Sequence, residues 1–122
     1  MPTNRDEFET WADDALAQGV YPFAVSSNPW QGLNQHLFGV MVCNYVGGHK
    51  FWEALNGQVP FNAPEFMEAI NLVDEYLDRG YFMGERDAYL SYGTDAAYAT
   101  RYEGRGGLLF QGPWMFSTWL EE

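Results

Sequence analysis

The chain has almost no lysine and almost no cysteine, and both shortages narrow what it can do. Lys50 is the single lysine, and the six basic residues face seventeen acids, for a formal charge of -11. Such a surface repels nucleic-acid phosphates and anionic lipid headgroups, so both classes of partner are excluded. Salt or acidic surroundings give a simpler account of the acidity. Cys43 stands alone, so no internal disulfide forms, and its apolar helical surroundings predict a packed thiol. No run of eighteen apolar residues is present, so no segment reads as a membrane span. No signal-peptide pattern precedes Pro2. His36 and His49 lie thirteen apart and away from other ligand types, which predicts no metal and no cofactor. Phosphate-loop, dinucleotide and nucleophile-elbow motifs are also missing.

Aromatic residues, by contrast, are abundant at 18%. With 47% hydrophobic residues over 122 positions, the chain is a single domain with a sizeable core rather than a disordered segment. The stretch from Gly106 to Phe116 organises the rest. Leu108 to Phe110 reads as a short buried strand, Gly112-Pro113 stops it, and a helical pattern begins at Trp114. A large aromatic is thus delivered where a strand becomes a helix, the edge at which open α/β sheets bind small ligands. Trp114 is either a plug beneath its own helix or a platform for a ligand.

Earlier in the chain, Asn4 and Glu7 predict a capping box for a helix with Phe8, Trp11, Ala12, Ala15 and Leu16 on one face, ended by Gly19. Val20 to Val25 reads as a strand with Pro22 at its start or on an edge. Asn28-Pro29 turns the chain and Trp30 opens a helix running to Gly47-Gly48. Trp30 therefore repeats the proline-aromatic junction seen at Pro113-Trp114. A short helix or turn covers 49–56, and Val59 to Phe61 reads as extended. Asn62 and Glu65 predict a second capping box, with Phe66, Ala69, Ile70, Val73, Tyr76 and Leu77 as the apolar stripe behind it. Tyr81-Phe82 is expected to anchor the following chain, 84–93 to be a loop, and Thr94 or Asp95 to cap a helix through Tyr102. Gly104 to Gly107 reads as a turn.

Paired acids, Glu85 with Asp87 and Asp13 with Asp14, raise a glycosidase, which needs one carboxyl in an apolar pocket. These acids fall on predicted solvent faces, so binding without catalysis is the expectation. Tyr89, Tyr92, Tyr98 and Tyr102 are either groove-lining or packing residues. A helical protein-interaction module, its aromatics forming core or interface, is the alternative to ligand binding.

In order, Asn4 to Phe8, Gly19 to Ala24, Gly47-Gly48, Phe61 to Glu65, Arg79 to Phe82, Tyr102 to Leu108 and Gln111 to Trp114 resemble one family. It is that of the extracellular solute-binding proteins of carbohydrate ABC importers, of the maltodextrin-binding type. The resemblance implies a helix-rich α/β fold with about five helices and two short strands, part of the second lobe of a two-lobed periplasmic-binding-protein (class II) fold. Residues 1–122 would then be a fragment of a longer protein, without its signal sequence, first lobe, hinge strands and last helices. It further implies an oligosaccharide ligand, an ABC permease as the parent's partner and an extracytoplasmic location. Trp114 and the junction aromatic Trp30 become stacking platforms, and the amides of Asn28 and Gln31 can meet sugar hydroxyls. Covering one pyranose face removes ~60–80 Å² from water, roughly 1.5–2 kcal/mol. Strand edges that a longer chain covers would be exposed here, which predicts a homodimer through those edges.

Overall fold

The computed structural model describes residues 2–25 and 39–109, together with Leu120. The described elements are α1 (Arg5–Ala17), β1 (Tyr21–Phe23), α2 (Gly39–Val46), α3 (Gly48–Leu55), α4 (Pro64–Asp78), α5 (Glu85–Ala88), a 3-10 turn (Tyr89–Ser91), α6 (Thr94–Tyr102) and β2 (Gly106–Leu108). The fold is thus a helix-rich α/β arrangement, with six α-helices and a two-stranded sheet among the described residues. The helix expected to follow Pro113 lies outside them.

Helix α1 starts as its sequence predicts. The Asn4 carboxamide oxygen accepts from the Glu7 N–H at 3.0 Å. Glu7 reaches back one residue further than a standard box, accepting from the Thr3 N–H at 2.8 Å and the Thr3 hydroxyl at 2.9 Å. At the other end Gly19 takes φ +77°, which lets the Gly19 N–H reach Leu16 O and the Val20 N–H reach Ala15 O, both at 2.9 Å. Two carbonyls of the last turn are satisfied in this way.

The second capping box does not form. Ala63 is the residue before the helix, and no side chain caps it. Pro64, at the first position, has no N–H to satisfy, and the Glu65 carboxylate turns instead to Lys50 of α3. Neither Thr94 nor Asp95 caps α6, because Gly93 occupies that position and both residues are already helical. Residues 84–93, expected to be a loop, hold α5 and the 3-10 turn, elements too short for hydrophobic periodicity to register. Arg86 straps this segment to α4, donating to the Asp74 carboxylate at 2.8 Å and pairing with Asp78.

Strands β1 and β2 are parallel, with Tyr21 opposite Gly106 and Phe23 opposite Leu108. On its other side Phe23 makes a parallel bridge to Phe82. There the Phe23 N–H donates to Tyr81 O at 2.9 Å, and the Met83 N–H donates to Phe23 O at 3.1 Å. So β1 is flanked on both sides, and Pro22, expected at a strand start or edge, sits buried at its centre. The ladder tolerates it because Tyr21, Phe23 and Ala24 supply the donors and position 22 is passed over. β2 begins at Gly106, two residues before the expected strand; Phe110 lies outside the described residues.

Two apolar clusters hold these elements together. One joins Ala12, Phe23, Val25, Tyr76, Tyr81, Phe82 and Tyr89 beneath α1 and α4, with Phe8 packed against it. Tyr81 and Phe82 are fully buried, as their expected anchoring role requires. The other joins Val42, Ala54, Phe66 and Ala69 across α2, α3 and α4. Cys43 on α2 is a free, half-buried thiol.

A polar clasp closes α1 onto α4. Glu9 accepts from Arg5, from the Tyr76 hydroxyl at 3.0 Å and from Arg79 at 2.9 Å. Arg79 also donates to Asp13 at 3.1 Å, and the Tyr81 hydroxyl donates to Asp13 at 2.7 Å. Hydrogen bonds from Arg5 foremost, then Arg79 and Tyr76, hold the Glu9 carboxyl down to about 2. Burial, reinforced by Glu9, pushes the Tyr76 phenol up to about 12.

Candidate functional site

Parallel strands send their successors away from the same edge, and here the ends of β1 and β2 share it with the segment that leaves the parallel Phe82 bridge. β1 is followed by 24–25 and then by 26–38; β2 is followed by Leu109 and then by 110–119; Phe82-Met83 is followed by 84–93. The first two ends are level, since the Ala24 N–H donates to Leu108 O at 2.8 Å. Val25 is buried in the apolar cluster on the way out of β1.

The sequence-predicted site residues Trp30, Asn28, Gln31 and Trp114 all lie outside the described residues. What the described residues contribute is their point of departure. Asn28 follows Val25 by three residues, and Trp114 follows Leu109 by five. Their segments leave neighbouring strands of one parallel sheet, at its carboxyl edge, where α/β folds take ligands. His36 also lies outside the described residues, and His49 is exposed on α3 beside Glu53 at 3.4 Å.

Glycine makes this edge possible. A Cβ on Gly106 would stand 2.6 Å from the Ala24 Cβ and 3.2 Å from the Arg101 Cα. One on Gly107 would stand 2.9 Å from the Trp11 ring and 3.0 Å from Pro22 O. The sequence reads this pair as a turn, but only Gly104, at φ +74°, has turn backbone. Gly106 and Gly107 are strand residues, and their missing side chains let β2 lie between α1, α6 and β1.

The third segment at the edge is 84–93, whose lack of periodicity reads as a loop. Its signal was there in the tyrosines between two glycines. Gly84 has φ +87°, and the Tyr92 ring lies where its Cβ would be, at 2.5 Å. Tyr89 is buried against Phe82, ring centroids 5.5 Å apart and edge-on. Its hydroxyl has no hydrogen-bond partner among the described residues, and burial pushes the phenol well above its usual range. Beneath this segment the Thr100 hydroxyl donates to Ala96 O at 2.8 Å and lies 3.0 Å from the Met83 sulfur. Tyr89 and Met83 are therefore buried packing residues, Tyr92 is half-buried against Gly84, and Tyr102 is exposed on α6.

Among the described residues no cluster of histidine, cysteine or carboxylate side chains could hold a metal. Of the paired acids weighed for hydrolysis, Asp13 faces Arg79 and Tyr81 across the clasp, and Asp14 and Asp87 are exposed. None of these three has the apolar pocket that a general acid needs.

No family model matches the chain, and no curated protein matches it in sequence. Among solved structures, it is similar to a chitin oligosaccharide binding protein, with a TM-score of 0.80 and 21% identity. The match covers 94% of this chain and 28% of that one, so the chain spans under a third of its structural neighbour. At that identity the likeness is one of fold.

Proposed function

We propose that the chain binds oligosaccharides as part of the second lobe of a solute-binding protein serving a carbohydrate ABC importer. The observation that carries this reading is the parallel, level pairing of β1 with β2, which starts the Trp30 and Trp114 segments side by side at one sheet edge. The fold likeness to a chitin oligosaccharide binding protein supports the same ligand class. In this reading Trp114 and Trp30 stack on apolar pyranose faces, and Asn28 and Gln31 pair with hydroxyls. The site binds without catalysis, the whole protein works outside the cytoplasm, and a permease takes the sugar from it.

Two stacking platforms give weak affinity by themselves, since association entropy offsets much of their burial. Calorimetry of this chain at high concentration against chitin oligosaccharides and maltodextrins tests the reading. Saturable binding of a chitin oligosaccharide, weakened at least tenfold by Trp114→Ala, is the expected result. No heat with any member of either series, at millimolar sugar, would sink it.

A further inference from the structure

Three tyrosines, Tyr76, Tyr81 and Tyr89, lie in the apolar cluster beneath α1 and α4. Two of them offset the cost of burying a phenol in the same way. The Tyr76 hydroxyl donates to Glu9 at 3.0 Å, and the Tyr81 hydroxyl donates to Asp13 at 2.7 Å, both within the clasp. Tyr89 does not. Its hydroxyl is the one buried side-chain oxygen or nitrogen without a hydrogen-bond partner among the described residues, on a side chain 1% exposed. Burial alone pushes this phenol above its ordinary range, with no charged group contributing. The difference follows position. Tyr76 and Tyr81 belong to α4 and the chain just after it, whereas Tyr89 belongs to the segment at the carboxyl edge of the sheet. Other groups set its place there: the Ala88 N–H donates to Gly84 O at 3.1 Å, and Arg86 donates to Asp74 at 2.8 Å. The ring also packs edge-on against Phe82, the bridge partner of Phe23 in β1. The phenol is thus held by its neighbours while its hydroxyl is left uncommitted, a cost that native structures rarely leave without a use.

We propose that Tyr89 is a specificity-determining residue whose hydroxyl pairs with one hydroxyl of a neutral sugar, a role that rests on the oligosaccharide reading of this edge. A pyranose hydroxyl both donates and accepts, as the phenol does, so either partner can supply the proton. Because Tyr89 is buried, the sugar hydroxyl that meets it is the one seated deepest. A carboxylate or ammonium group there would be a charge without a counter-ion in apolar surroundings, which disfavours acidic and free amino sugars. Tryptophan platforms read the apolar face that most pyranoses share, so stacking alone separates neutral sugars poorly. A desolvated hydroxyl separates them well, since a sugar lacking the matching group leaves it unpaired.

Calorimetry of the chain and of Tyr89→Phe, with a chitin trisaccharide, maltotriose and the monodeoxy derivatives of each, tests the pairing. Tyr89→Phe should bind about three- to tenfold more weakly than the parent chain, while its melting temperature without sugar holds or rises. One deoxy derivative should lose a similar factor on the parent chain, yet bind Tyr89→Phe as well as the complete sugar does. A residue that only packs would not produce that coupling. If Tyr89→Phe binds as tightly as the parent chain while Trp114→Ala weakens, this role is overturned and the sugar-binding reading stands. A loss of affinity that no deoxy derivative shares would overturn the role as well. So would a lower melting temperature for sugar-free Tyr89→Phe, which would show the hydroxyl to be paired inside the protein. A parent chain that binds neither trisaccharide removes the reading and the role together.

Discussion

Phe23 and Leu108 stand opposite each other in adjacent parallel strands, although 85 positions separate them in the chain. That pairing starts the two segments that carry the proline-tryptophan junctions from adjacent strands. Proline-tryptophan pairs beyond different sheets would have no common ligand, whereas segments leaving one edge can converge on a single sugar.

The most direct consequence concerns Trp114. Its stacking contribution of roughly 1.5–2 kcal/mol corresponds to at least a tenfold loss of oligosaccharide affinity in Trp114→Ala. Trp30→Ala should lose a similar amount. Neither change should move the urea midpoint much if both rings serve the ligand, and calorimetry paired with urea titration separates the two effects.

Gly106→Ala should destabilise the fold by about 1–3 kcal/mol, because its methyl would overlap Ala24 at 2.6 Å with helix α6 backbone behind it. The urea midpoint should fall with an unchanged slope. Gly48→Ala is the matched control, since a Cβ there meets nothing within 4 Å and φ is not positive. Equal stability of the two variants would contradict the close approach.

Tyr89→Phe removes a buried hydroxyl that has no partner among the described residues. Deleting such a group relieves a desolvation cost of about 1–3 kcal/mol, so the melting temperature should hold or rise by a few degrees. A clear fall would mean that the hydroxyl is satisfied in solution.

The clasp predicts an acid limb in stability. Glu9 titrates at about 2 when folded, against 4.5 ordinarily, so the unfolded chain binds this proton first as pH drops. Its contribution is fully present above about 4.5 and is lost progressively as pH falls towards 2. At pH 7, Glu9→Gln should lower the melting temperature by roughly 3–6 °C, the effect of about 1 kcal/mol in a chain this long. The gap between variant and parent should narrow as pH falls below about 4.5 and close only at about pH 2 and below.

Much of the local structure was legible in the sequence alone. The Asn4 cap, the Gly19 and Gly80 stops and the stripe from Phe66 to Leu77 depend on contacts within a few residues, and short-range patterns encode them. The second capping box misled because Lys50, fifteen positions away, competes for Glu65. Pro22 misled because its tolerance depends on which neighbours supply the donors to two flanking segments.

The sequence by itself determined α1, α4 and α6, the acidic composition and the aromatic residues worth testing as ligand platforms. Only the tertiary structure decided that Tyr81 to Met83 flanks β1, that Gly106 and Gly107 are strand residues, and that Tyr89 lies in the core. It also decided that α3 turns Trp52 and Leu55 outward, a choice no helical period makes. Periodicity defines a face of a helix, but the partner that covers that face is set by chain segments distant in sequence.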